Sequence, residues 1–170
     1  CPLSVSMSLL EKLRSQPGWK DDDPTVRIEA VRRLPEDYKT DSVLSDIVRS
    51  DVDARVRRAA VERITDLKAL ILLAQDSNVD PDTRSLVVAA VREAVIRMNI
   101  TDDWSAPLAA LTDERDLGVM ARLAETESVG LAAIERVEND KTLGAVARKA
   151  KHLVVALEAV RRLQDRSELL

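Results

Sequence analysis

The chain contains one histidine, His152, and one cysteine, Cys1, so any reaction built on an imidazole or a thiol must use these two side chains. His152 stands in Ala150-Lys151-His152-Leu153, at a predicted helix junction. A general base, a metal ligand and a capping polar residue are its three readings. A transition-metal site needs several converging Cys or His ligands, which the chain does not supply, so an exposed or capping polar residue is the expectation for His152. Asp21-Asp22-Asp23 places three carboxylates in a row. It lacks the alternating ligands and the glycine of a calcium loop, and solvated helix capping is what it predicts. No glycine-rich phosphate cradle and no nucleophile elbow occurs. These residues predict no enzyme activity, no bound metal and no cofactor.

Side chains suited to binding are more abundant. Arg27, Arg32, Arg33, Arg55, Arg57, Arg58 and Arg63 crowd two stretches, and Arg84, Arg92 and Arg97 mark a third. Such a set could hold an acidic peptide or a nucleic-acid backbone, or it could be solvated and paired with neighbours such as Glu29 and Glu62. Trp19 and Trp104 each stand beside a predicted helix start. There a large ring covers the end of a core or supplies an interface anchor.

The elements that carry these residues follow from composition and period. Aromatics make up 2 % of the 170 residues, with no Phe, while 45 % are hydrophobic and 33 % charged. A core built from Ala, Val, Leu and Ile suits close-packed helices, and four glycines are too few for a turn-rich β architecture. Asp23-Pro24-Thr25-Val26-Arg27-Ile28-Glu29-Ala30-Val31-Arg32-Arg33-Leu34 recurs 30 residues on as Asp53-Ala54-Arg55-Val56-Arg57-Arg58-Ala59-Ala60-Val61-Glu62-Arg63-Ile64. A further step of 30 retains the apolar positions Leu86, Ala90 and Val91 but replaces the Asp and Arg by Thr83 and Val87. A second offset, of 26, relates Leu117-Gly118 to Leu143-Gly144 and Ala133-Ile134-Glu135-Arg136-Val137 to Ala159-Val160-Arg161-Arg162-Leu163.

Each unit reads as two short helices. Val26, Ala30, Val31 and Leu34 share one helical stripe, and Asp23 followed by Pro24 is a favourable N-cap and first-turn pair. Leu44, Ile47 and Val48 follow Asp41 or Ser42 as cap; Leu67, Leu70, Ile71 and Ala74 repeat that pattern. Ser105 to Leu111 and Leu117 to Ala124 are two more predicted helices. The recurrence of Gly118 and Gly144 inside helical patterns, where glycine costs about 1 kcal/mol relative to Ala, predicts close helix packing. Units this short cannot bury both faces alone and must stack.

Asp-Pro-x-Val-Arg-x-x-Ala-Val at 23–31 and Asp-Ala-Arg-Val-Arg-Arg-Ala-Ala at 53–60 resemble the second-helix signature of HEAT repeats. The short period is similar to the compact variety of phycobilisome lyases. The resemblance implies an all-α, right-handed solenoid of stacked antiparallel helix pairs. It also implies a structural ladder between repeats formed by Asp23, Arg27, Asp53 and Arg57, and second helices that line a concave face. Arg32, Arg58 and Arg92, which lie off the apolar stripe, then become candidate binding residues on that face, together with Trp104. More loosely, the order of units resembles the N-terminal array of bacterial proteins that continue into a long helical domain.

A non-enzymatic protein-binding scaffold is the leading reading. A nucleic-acid-binding module using the second-helix arginines is an alternative, disfavoured by the net charge of −4. A bilin lyase-like protein is a further one, although only scaffold residues match. No run of about 18 apolar residues predicts a membrane span, and the lone cysteine precludes an internal disulfide and fits a reducing compartment. A monomeric, cytoplasmic protein is expected. Residues 1–6 read as an expression remnant before a natural start at Met7, and 7–170 as one domain. Asp165 to Leu170 read as the opening of another unit, either a short cap or the point at which a longer array is cut.

Overall fold

The computed structural model describes residues 17–36, 39–99 and 103–167, with side chains to 164. The expectations for Cys1 and residues 1–6 lie outside these residues. Among the described residues a 3₁₀ turn at Gly18–Lys20 is followed by ten α-helices. They are α1 Pro24–Arg32, α2 Thr40–Ser50, α3 Ala54–Arg63, α4 Leu67–Gln75 and α5 Pro81–Ile96, then α6 Ser105–Ala110, α7 Glu114–Leu123, α8 Glu127–Ile134, α9 Asp140–Lys149 and α10 Leu153–Ser167. No strand occurs among the described residues, and the chain is all-α.

The starts of α1, α3, α4, α5 and α7 are set by Asp caps. The Asp23 carboxylate accepts from the Thr25 amide at 2.7 Å, Asp53 from Arg55 at 2.8 Å, Asp66 from Lys68 at 3.0 Å, and Asp80 from Thr83 at 3.0 Å. Each supplies an acceptor for an amide that the helix itself cannot satisfy. Pro24 and Pro81 fill first-turn positions where no amide donor is needed.

The segments related by the 30-residue offset form α1, α3 and α5, and those related by 26 form α7 and α9, then α8 and α10. Contacts between helices are local in sequence. α1 touches α3, α3 touches α5, α5 touches α7 and α7 touches α9. On the other side α2 touches α4, α4 touches α6, and α8 touches α10. Two layers result, with one core cluster between them that runs from Val31 to Ala159. Leu44, Leu73, Leu111, Met120, Ile134 and Leu143 are its largest fully buried side chains.

Three local expectations are corrected. α2 begins at Thr40, so Asp41 lies in its first turn, where its carboxylate accepts from the Thr65 amide at 3.1 Å. Val26 is 43 % exposed, whereas its counterpart Val56 is fully buried. Among the described residues α3 lies between α1 and α5, while α1 packs against α3 on one side and the 3₁₀ turn on the other. Asp165 opens no new unit, because α10 continues through it to Ser167.

Candidate functional site: the arginine-bearing layer

One arginine on each of α1, α3 and α5, namely Arg27, Arg57 and Arg92, reaches toward the next helix of that layer and is paired there. Arg27 is held by the Asp51 carboxylate through Nε at 2.8 Å and Nη2 at 2.9 Å, and its Nη1 donates to the carbonyls of Asp21 and Asp22 at 2.9 and 3.0 Å. Only 10 % of the Arg27 side chain and 8 % of Asp51 is exposed. Arg57 lies 3.0 Å from Asp80 and donates to the Thr83 hydroxyl at 2.9 Å and the Asp51 carbonyl at 2.8 Å. Asp51 thus serves two successive arginines, one through its carboxylate and one through its carbonyl.

This pairing differs from the one that the HEAT resemblance implies. Asp23 and Asp53 contact neither Arg27 nor Arg57 through their carboxylates; they cap α1 and α3. A carboxylate committed to its own helix amides, with Asp53 also bound by Arg55 at 2.7 Å, points along that helix. In the first junction the acid two residues earlier, Asp51, is left to face the arginine. In the second, Asp80 divides its oxygens between the Thr83 amide and Arg57.

Sequence reasoning missed a second set of contacts, in which an arginine late in one helix, or just after it, closes the carbonyl end of an earlier helix. Arg63 donates to Arg32 O at 2.5 Å and Leu34 O at 2.7 Å. Arg136 donates to Leu108 O and, at 2.9 Å, to Leu111 O; Arg162 donates to Ile134 O. Orphan helix carbonyls gain charged donors this way. The recurrence of Arg136 as Arg162 at an offset of 26 is the signal that could have found it. Arg49, which binds Asp76 at 2.8 Å, had no such signal.

The four candidate binding residues are not brought together. Arg32 is exposed on α1 and lies 3.3 Å from Glu29. Arg92 is half-buried and paired with Asp116 of α7, so it joins two helices instead of facing a groove. Trp104 is half-buried against the core at the start of α6, in keeping with a covering role, and Trp19 likewise packs on the core. Arg58 alone is exposed and without an ion pair among the described residues. It lines two adjoining cavities between α3 and α5. One, of about 340 Å³, holds Glu62, Leu86, Ala90, Glu93 and Arg97; the other, of about 550 Å³, holds Arg55, Asp82 and Leu86. A larger groove of about 970 Å³ between α7 and α9 mixes Arg115, Arg122 and Lys141 with Asp113, Glu114 and Glu138.

His152 sits at the junction expected of it, with Nε2 3.0 Å from the Ala124 carbonyl and Nδ1 3.9 Å from Glu127. Neighbouring Lys151 donates its amide to Arg122 O and its ammonium to Glu125 at 2.6 Å. These contacts tie the turn before α10 to the turn after α7. Among the described residues, no group of three or more His, Cys, Asp and Glu is placed to hold a metal, and no helix is long and apolar enough to cross a membrane.

Several carboxyls are held below their ordinary range by donors that favour the charged form. Arg55 does this to Asp53, the Arg49 guanidinium to Asp76, the Thr83 hydroxyl and amide to Asp80, Lys151 to Glu125 and Arg161 to Glu158. A carboxyl with a lowered folded pKa adds stability that is complete above its unfolded pKa and is lost as pH falls through the folded one. The melting temperature is therefore expected to be flat from pH 7 to about 5 and to fall steadily below about 4. Thermal melts followed by circular dichroism across that range test this, and a melting temperature unchanged down to about pH 3 would contradict it.

No protein-family model, curated protein or solved structure matches this chain.

Proposed function

We propose that this chain is a right-handed solenoid of HEAT-like helix pairs acting as a non-enzymatic protein-binding scaffold, with the α1–α3–α5–α7–α9 layer as its concave binding face. The main helix–helix contacts, which join sequence-near helices, and the arginine rungs from one unit to the next support the solenoid reading. The observation that carries the binding reading is the α3–α5 groove, which exposed, unpaired Arg58 lines together with Leu86 and Ala90. An extended or helical peptide with a carboxylate for Arg58 and an apolar side chain for that floor fits its chemistry. The rung arginines Arg27, Arg57 and Arg92 are already neutralised by Asp51, Asp80 and Asp116, which leaves little free positive charge for a phosphate backbone.

The test is titration of a labelled acidic peptide library and a labelled DNA duplex against the wild type and an Arg55→Glu/Arg58→Glu variant. Selected peptides are expected to bind the wild type with a shallow salt dependence and to lose about tenfold or more with the variant, as charge at a partly desolvated contact is reversed. Duplex should show no tight binding at physiological salt. A steep log–log salt slope near −0.9 per phosphate contacted would assign the face to nucleic acid instead, and equal peptide binding by both proteins would remove Arg58 from the site.

A further inference from the structure

The groove of about 970 Å³ between α7 and α9 takes Arg115 and Arg122 from α7 and Lys141 from α9. A step of 26 relates Arg115 to Lys141, and it also relates Arg122 to Arg148 on α9. Each helix therefore carries two cations seven residues apart, on one face and about 10.5 Å along its axis. The Glu114 carboxylate at the start of α7 accepts from the Glu138 and Asn139 amides before α9, at 2.9 and 2.8 Å. One turn on, a Cβ added to Gly118 would overlap Cγ2 of Thr142. These two contacts align the helices side by side in the same direction, and the two pairs of cations lie about 8–10 Å apart across the groove.

None of the four cations is in an ion pair among the described residues. Arg122 donates Nε to Gly118 O at 3.1 Å, a bond within its own helix that leaves its charge unopposed. The acids of the groove stand at its head. Asp113 caps α7 by accepting from the Arg115 amide at 2.6 Å, Glu114 is held by the two amides before α9, and Glu138 precedes the α9 cap. Toward Arg122 the lining contains no carboxylate. Glu125, the next acid along the chain, is taken by Lys151 at 2.6 Å. Positive charge is thus left over here, on a chain whose net charge is −4.

We propose that the α7–α9 groove seats an acidic helix of a partner protein, a second site in the layer assigned above as the binding face and resting on that assignment. The charges choose the sign of the occupant, and their spacing chooses its conformation. A helix with Asp or Glu at positions i and i+7 has the same rise of about 10.5 Å. One of its acids then meets Arg115 and Lys141, and the other meets Arg122 and Arg148. An extended strand, whose same-side residues recur every 6.4–6.8 Å or so, matches one pair and misses the other. Half-buried Val119 and Ala145 line the groove between the pairs. They offer an apolar seat for a side chain at i+3 or i+4, the anchor spacing of a helix laid in a groove. Two cations for each carboxylate give charge-assisted hydrogen bonds at both ends.

The probe is a labelled, side-chain-stapled alanine-based helix with Glu at i and i+7 and Leu at i+4, followed by fluorescence anisotropy. A control helix carries the second Glu at i+5, on another face. The proteins are the wild type, Lys141→Glu/Arg148→Glu, Arg115→Glu and Arg55→Glu/Arg58→Glu. Arg115, Lys141 and Arg148 are exposed, and circular dichroism establishes that each variant is folded. The wild type is expected to bind the i, i+7 helix about fivefold or more tighter than the control, and both α7–α9 variants to lose about tenfold or more. Arg55→Glu/Arg58→Glu should bind it like the wild type. Equal binding of the two helices, or α7–α9 variants that bind like the wild type, would overturn the inference. So would no binding by the wild type up to about 1 mM. If the acidic library still binds at Arg58 in that case, the α3–α5 reading survives alone; if it does not, both fall. A loss confined to Arg55→Glu/Arg58→Glu would move the helix to the α3–α5 groove. Labelled duplex held with a steep salt slope, and released by Lys141→Glu/Arg148→Glu, would give the α7–α9 groove to nucleic acid and overturn the inference as well.

Discussion

Replacing Arg27 with Ala is expected to lower the melting temperature by about 10 °C. Arg27 gives two donors to a carboxylate that has almost no exposure to water, and its remaining nitrogen serves two backbone carbonyls. Alanine cannot replace any of these bonds, and the Asp51 charge stays buried without its partner. That uncompensated charge is the costly part, because desolvation is then no longer offset by attraction. Arg57→Ala should produce a smaller but clear drop, since Asp80 is more exposed and retains the Thr83 amide. Arg33→Ala should change the melting temperature by no more than about 1 °C, since its side chain is 81 % exposed and its pairing with Glu29 is a solvent-screened helix contact. Arg58→Ala belongs with Arg33→Ala on this scale. Thermal melts of the four variants at pH 7 make the comparison, and equal effects at Arg27 and Arg33 would mean that the buried rung contributes nothing. A second variant separates charge burial from packing: Arg27→Met/Asp51→Leu should recover much of the loss, since a buried ion pair can be replaced by apolar groups at little cost.

The arginines of these rungs were legible in the sequence, and their partners were not. Aspartate caps and apolar stripes locate α1 and α3, and the repeat places Arg27 and Arg57 at one position on their helices. Which carboxylate meets them depends on the turn, however, and each turn offers two. Between α2 and α3 the choice is Asp51 or Asp53, and between α4 and α5 it is Asp76 or Asp80. The first turn gives Arg27 to the earlier acid and the second gives Arg57 to the later one, because Asp76 is taken by Arg49. A repeat read at one offset cannot register that alternation. Arg92 shows the same limit from the other side. Its position off the apolar stripe suggests solvent, but α5 is flanked within its layer by α3 and α7, and the flank toward α7 brings it to Asp116. Arg58 keeps its exposure because the helices there leave a groove and not a contact.

Gly118 and Gly144 are equivalent by the 26-residue offset, yet alanine is expected to act with opposite sign at the two. A Cβ placed on Gly118 would overlap Cγ2 of Thr142, on the adjacent helix α9. Thr142 cannot swing away freely, because it is β-branched and its amide is bonded to the Asn139 cap at 3.1 Å. Relief must come from moving α7 and α9 apart, which overpacked interiors show to cost about 1–3 kcal/mol, against a gain of about 1 kcal/mol from helix propensity. Gly118→Ala should therefore destabilise, by up to roughly 2 kcal/mol. At Gly144 the atom that a Cβ would meet, beyond the backbone of its own helix, is Nη1 of Arg148 at 3.3 Å, the mobile end of a long exposed side chain. Gly144→Ala gains the propensity without the clash and should stabilise by about 0.5–1 kcal/mol. The decisive variant is Thr142→Ser, which removes the methyl that the new alanine side chain of Gly118→Ala would strike. Denaturant unfolding of the two single variants and the double variant forms a cycle. Gly118→Ala/Thr142→Ser should be more stable than the sum of its parts by about 1 kcal/mol. Strict additivity, or a stabilising Gly118→Ala, would show that α7 and α9 are not in the close contact that the glycine permits.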